Sequence, residues 1–314
     1  SDGLKKSVEY FEQAIAQAAD WPLAYAGLAD AYALMPYYSL MRPKDAMPKA
    51  KAAAAKALEL DESLAEAHAS LALSATNYDW DWPVAEREFQ RAIALSPNYA
   101  TAHHWYERHL LTMGRYDEAI KEITKAQELD PLSLIISVNV GGAHHFAGDV
   151  EQAETLLRQT VDLGPDWAVG HRELAVTLLV RGKLPEATTE AREAVRLSAN
   201  DPYHAAILGH ACAKAGRSDE ARRILSELAA RSTEAYVAPS LFAVVHAGAD
   251  ERDRMFEWLE RAYEERDTLL PYMLRDPLLA PMRSDPRFAD LVRRVGLPPL
   301  PAARGTDSPL SPLD

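Results

Sequence analysis

Apolar residues recur at helical spacing along most of the chain, in paired stretches separated by short polar breaks. Four of the breaks are alike: Gly114-Arg115-Tyr116-Asp117-Glu118-Ala119, Gly148-Asp149-Val150-Glu151-Gln152-Ala153, Gly182-Lys183-Leu184-Pro185-Glu186-Ala187 and Gly216-Arg217-Ser218-Asp219-Glu220-Ala221. Each begins about 34 residues after the one before, which is the mark of a repeat array. The glycine predicts a tight turn between two antiparallel helices, and the acidic residues after it suit the N-terminus of the second. Pro97, Pro131 and Pro165 stop the second helices. Helices that cross at roughly 8–10 Å need small residues where their backbones meet. Ala72, Gly141, Ala175 and Gly209 occupy those slots on first helices, and Ala50, Ala85, Ala119, Ala153, Ala187 and Ala221 on second helices.

The period predicts about seven hairpins. Residues 1–21 read as the orphan second helix of a truncated repeat, and the opening Ser1-Asp2-Gly3, without a methionine, suggests a fragment. The array proper covers 22–262. It carries an apolar insertion, Tyr37, Tyr38 and Met41, expected to fold back over the N-terminal hairpins or to meet a partner. An aromatic turn with Trp80 and Trp82 is expected to pack as a long turn, with Asp81 and Pro83 starting the next helix. Residues 263–297 contain Asp276-Pro277 and Asp285-Pro286, both good helix starts, and are expected to form a helical cap on the apolar face of the last repeat. Residues 298–314 are rich in proline and are expected to be a disordered tail.

The stretches Leu23 to Tyr32, Tyr78 to Trp82, Ala102 to Tyr106, and Asp276 to Pro298 give the chain a resemblance to tetratricopeptide (TPR) repeats. Within them it resembles the C-terminal repeat region of bacterial winged-helix transcriptional activators, class III adenylate cyclases and serine/threonine kinases. The resemblance implies an all-α, right-handed superhelix with a C-terminal cap, acting as an interaction or sensor region in signalling. It brings no catalytic residues.

Lys and Arg number 34 against 47 Asp and Glu, a formal net charge of −13, which argues against direct binding of nucleic acid or an anionic membrane surface. A single cysteine leaves no disulfide framework. No apolar run approaches the roughly 20 residues of a spanning helix. The expectation is a cytoplasmic protein, or one of open compartment if an upstream membrane helix has been removed, with no cofactor and no enzymatic activity, and with a protein or peptide partner.

Family geometry places certain first-helix positions in the concave groove: Thr101, His104, Arg108, Ile135, His145, Arg172, Tyr203, His210 and Lys214. They form a largely cationic and aromatic strip in an acidic chain, which would attract an acidic peptide, more strongly below about pH 6.5 as histidines gain charge. The asparagines that orient a terminal carboxylate in chaperone-binding relatives are absent from the equivalent slots. A second reading gathers His103, Glu107 and His144 as a metal or acid/base site. The plainer alternative is a Glu107–histidine hydrogen bond, since Glu107 stands where a small residue is expected. Cys212 reads as a buried small hydrophobe.

Overall fold

The structure, a computed structural model, describes residues 2–299. Beyond Pro299, the expected disordered tail lies outside the described residues. The described residues form helices and turns, with no strand among them. A lone helix α1 (Asp2–Gln17) precedes a run of hairpins: α2 (Pro22–Leu34) with α3 (Pro43–Leu60), α4 (Ala65–Ser74) with α5 (Trp82–Leu95), and α6 (Ala100–Thr112) with α7 (Tyr116–Leu129). Then follow α8 (Leu134–Ala147) with α9 (Val150–Leu163), α10 (Ala168–Val180) with α11 (Leu184–Leu197), α12 (Pro202–Lys214) with α13 (Ser218–Ser232), and α14 (Pro239–Gly248) with α15 (Arg252–Glu264). Each hairpin stacks on its neighbours, and the stack winds into a superhelix.

The small-residue slots sit at the helix crossings. Ala72, Ala85, Ala119, Ala153, Ala175 and Ala187 are fully buried. A Cβ on Gly141 would come within 2.6 Å of Leu157, and one on Gly209 within 2.9 Å of Val245. The turns show the period most clearly. Gly114, Gly148, Gly182 and Gly216 are left-handed, with φ from 72° to 85°. The same conformation recurs one period earlier at Trp80 (φ 56°) and one period later at Asp250 (φ 55°). At both sites a side chain replaces glycine in a conformation that costs roughly 1–2 kcal/mol.

Past α15 the chain departs from the expected cap. Arg266, at φ 54°, begins a segment made of a short helix α16 (Leu270–Met273), a 3₁₀ turn over Pro277–Met282, and α17 (Pro286–Val295). α17 does pack on α15, but the stretch before it enters the concave side of the superhelix. Arg275 Nε donates to the carbonyl of Thr112 at 2.7 Å, and Trp82 Nε1 donates to that of Val295 at 3.3 Å. Trp80, expected to pack within its own turn, stacks near Tyr263 at 5.4 Å and lies under the Arg266 guanidinium at 4.1 Å. Residues 266–299 are therefore fastened to the α4/α5 and α6/α7 hairpins. The physical reason is apolar content: Leu270, Leu274, Leu279, Met282, Phe288 and Leu291 are all buried in the main core, more than the face of one hairpin can cover.

Candidate functional site

First helices α6, α8, α10 and α12 line the channel that this segment enters. The Arg108 guanidinium lies over the ring of Tyr272 at 4.1 Å and over that of Tyr37 at 4.9 Å. Tyr272 in turn meets Phe146 at 4.4 Å. So Tyr37 of the insertion folds inward, while Tyr38 stays exposed. Arg172 lies over Tyr203 at 4.3 Å and pairs with Glu173 at 2.6 Å. His145 is buried between Thr177 (3.1 Å) and Asp276 (3.3 Å), whose carboxylate also caps the following turn by accepting from Leu278 N–H at 2.7 Å. His210 is buried, with Nδ1 2.8 Å from the carbonyl of Val244.

Arg108 lies against Tyr272 and Arg172 against Tyr203, and these side chains do not form an open cationic strip. The C-terminal segment covers them, Glu173 neutralises Arg172, and Arg108 faces aromatic rings. Thr101 and His104 are half-buried, Ile135 is 42% exposed, and Lys214 is exposed at the end of α12. Burial, with Arg108 nearby, pushes His104 down to about 4, and burial pushes His210 to about 4 against its carbonyl partner. Both stay neutral at pH 6, so the expected tightening below pH 6.5 does not follow from them. Glu107, Glu173, Tyr272 and Asp276 are channel residues that the groove positions alone did not reveal. The apolar density of 269–288 was the available signal.

The histidine–glutamate reading is also corrected. His103 does not meet Glu107. Its Nδ1 faces Glu122 at 2.6 Å and its Nε2 faces the Pro97 carbonyl at 3.0 Å. The same clamp recurs at His171 with Glu190 (2.6 Å) and Pro165 (2.8 Å), and at His68 with Glu88 (2.7 Å) and Glu62 (3.1 Å). It joins a first helix, its second helix and the preceding loop, which makes it a device of the repeat. Burial opposes the charge on His103, but Glu122 and the Pro97 carbonyl, both acceptors, raise its pKa above the ordinary value. His144 pairs instead with Asp149 at 3.2 Å. Glu107 is buried in the channel, where desolvation, relieved in part by Arg108 and reinforced by Glu173, lifts it to about 8. Among the described residues no group of three or more His, Cys, Asp or Glu is placed to hold a metal ion. Cys212 is fully buried, and burial together with Glu220 pushes its thiol up to about 11, away from nucleophilic chemistry.

The 34-residue turn series decides the classification. Tetratricopeptide patterns match residues 81–133, 108–168 and 141–203, and a further one matches 202–227. Residues 81–227 carry tetratricopeptide repeats. Solved TPR-like structures share its architecture. A monomeric form of IFIT1 with Gppp-AAAA superposes with TM-score 0.65 at 14% identity, over 94% of this chain and 68% of that one. The human IFIT1 dimer with PPP-AAAA gives 0.56 at 16%, over 83% and 68%. Yeast Tom70 gives 0.56 at 15%, and this chain, covered to 93%, spans 62% of the Tom70 chain. At these identities the likeness is one of fold. No helix among the described residues is long and apolar enough to cross a membrane.

Proposed function

We propose that this TPR array is a non-catalytic interaction scaffold that receives a peptide or partner domain at the part of its concave side left open by residues 266–299. A cytoplasmic signalling setting, which the resemblance to activators and kinases implies, belongs to the same proposal. Arrays of this repeat class serve as protein–protein interaction scaffolds. The observation that supports a peptide site is that the channel already grips a peptide: Arg108 stacks on Tyr272, and His145 meets Asp276. The expected groove residues then divide in two. Arg108, His145, Arg172, Tyr203 and His210 hold the chain's own interior, whereas Thr101, His104, Ile135 and Lys214 border the open part.

The test begins with peptides selected from a random library on the immobilised protein. Ile135→Asp and Thr101→Glu should each weaken the selected peptides by about tenfold or more, equivalent to roughly 1.4 kcal/mol. Selected peptides that bind both variants as tightly as the parent protein would refute the site.

A further inference from the structure

Every hairpin is antiparallel and stacks in the same sense, so all tight turns fall on one edge of the superhelix and all inter-hairpin loops on the other. The two edges differ. The turn edge is fastened by the C-terminal segment through Thr112, Trp82 and Phe146. The loop edge is uncovered, and most of the exposed large apolar side chains are there: Trp21, Leu23, Leu60, Leu132, Ile135 and Leu163. Leu132 is 90% exposed and Leu163 74%. A lone exposed leucine needs no explanation, but these recur at the same edge in several hairpins. Loop 164–167 lies against the start of α8, next to loop 130–133, for a Cβ on Gly164 would lie 2.7 Å from Leu134.

Beside these apolar side chains stand Asp130, Asp162 at the end of α9, and Asp166, all exposed and in no salt bridge among the described residues, with Asp166 acting electrostatically on Arg196. The neighbouring cations are engaged: Lys125 with Glu128, and Arg196 with Glu193. Apolar anchors are thus interleaved with exposed carboxylates. We propose that this edge, centred on Leu132, Ile135 and Leu163, is a docking surface for a cationic amphipathic segment of a partner protein. Lysine or arginine side chains would lie over Asp130, Asp162 and Asp166, and apolar side chains on the leucines. The proposal rests on the scaffold reading and names its partner class, which is opposite in charge to the acidic peptide expected from the groove residues. Phosphate-bearing partners such as nucleic acid or anionic lipid would be repelled by the same carboxylates.

The probe is a synthetic amphipathic helical peptide with lysines on one face and leucines on the other, compared with its glutamate-for-lysine counterpart by fluorescence anisotropy. The lysine peptide should bind and weaken with salt, since the Debye length shrinks from about 10 Å at 0.1 M to about 3 Å at 1 M. The glutamate peptide should not bind. Combined Asp130→Asn, Asp162→Asn and Asp166→Asn should cost about tenfold and flatten the salt dependence. Combined Leu132→Ser and Leu163→Ser should cost a similar factor with the salt dependence kept. A control with Asp219→Asn, Glu227→Gln and Glu264→Gln, exposed carboxylates on second helices, should leave binding unchanged. Equal loss in the control would overturn the proposal, because it would mean diffuse attraction to a chain of net charge −13. No binding of the lysine peptide would overturn it too. If library-selected peptides still lose affinity with Thr101→Glu in that case, the scaffold reading stands and only the cationic partner falls.

Discussion

Replacing Tyr272 by alanine tests whether the C-terminal segment truly belongs to the channel. Two interactions disappear together: the stack under Arg108 at 4.1 Å and the ring contact with Phe146 at 4.4 Å. A desolvated cation–π contact is worth about 2 kcal/mol and an aromatic pair about 0.5–1.5, so the sum before any lost burial is roughly 2.5–3.5 kcal/mol. Arg108 is also left worse off, because one of its terminal nitrogens already lacks a hydrogen-bond partner. Tyr272→Phe keeps both ring contacts and should cost no more than about 1 kcal/mol. Urea denaturation measures the totals, and hydrogen exchange locates them. In an open solenoid a change at residue 272 would loosen only the adjacent hairpins. Here α6 and α8 should lose protection as well, since Arg108 and Phe146 belong to them. Loss of protection confined to α14, α15 and α17, or equal costs for the alanine and phenylalanine variants, would refute the reasoning.

Gly248→Ala should destabilise by about 2 kcal/mol, since its Cβ would lie 2.7 Å from both the Cα and the carbonyl oxygen of His210, main chain that cannot swing aside. Gly142→Ala, with nothing within 4 Å, should instead stabilise by up to about 1 kcal/mol through helix propensity; thermal melts of the two variants check the opposite signs. Ala187→Leu should cost roughly 1–3 kcal/mol by overpacking a fully buried crossing, read as a lower urea midpoint. Glu107 should give a pH signature. Its folded pKa of about 8 lies above the unfolded value, so the folded chain binds the extra proton and stability falls as pH rises from about 5 to 8. Glu107→Gln should therefore match the parent near pH 4 and exceed its stability at pH 9, by an amount on the order of 1–3 kcal/mol; equal stability at both pH values would contradict the burial of this carboxyl.

Local features of the fold were legible in the sequence because repeats impose local rules. Small residues mark crossings, glycine marks turns, and proline stops second helices, each within one unit. Trp80 and Asp250 hide two members of the turn series because they break the glycine rule while keeping its backbone conformation. The clamp at His68, His103 and His171 was open to the same periodic reading, but His103 drew attention to its helix neighbours His104 and Glu107 and away from Glu122 on the next helix. The closure of the channel was out of reach for a different reason. Trp82 meets Val295 across 213 residues, and nearest-neighbour stacking carries no information about such a contact. Arg108, Arg172 and Tyr203 therefore lie under the C-terminal segment and not on the open surface that the groove positions implied. The sign of the exposed charge had to come from which side chains are already paired.

A solenoid is ordinarily a spring, in which small rotations between successive hairpins add up to large changes of pitch. The bonds from Arg275 to Thr112 and from Trp82 to Val295 act as a strut across that coil. Stretching or unwinding the hairpins between α5 and α15 would have to break the strut first, so those units share one mechanical state. The α2/α3 hairpin is tied to the same channel by Tyr37, which lies under the Arg108 guanidinium at 4.9 Å. The hairpins from α2/α3 to α14/α15 then resist stretching together rather than one at a time.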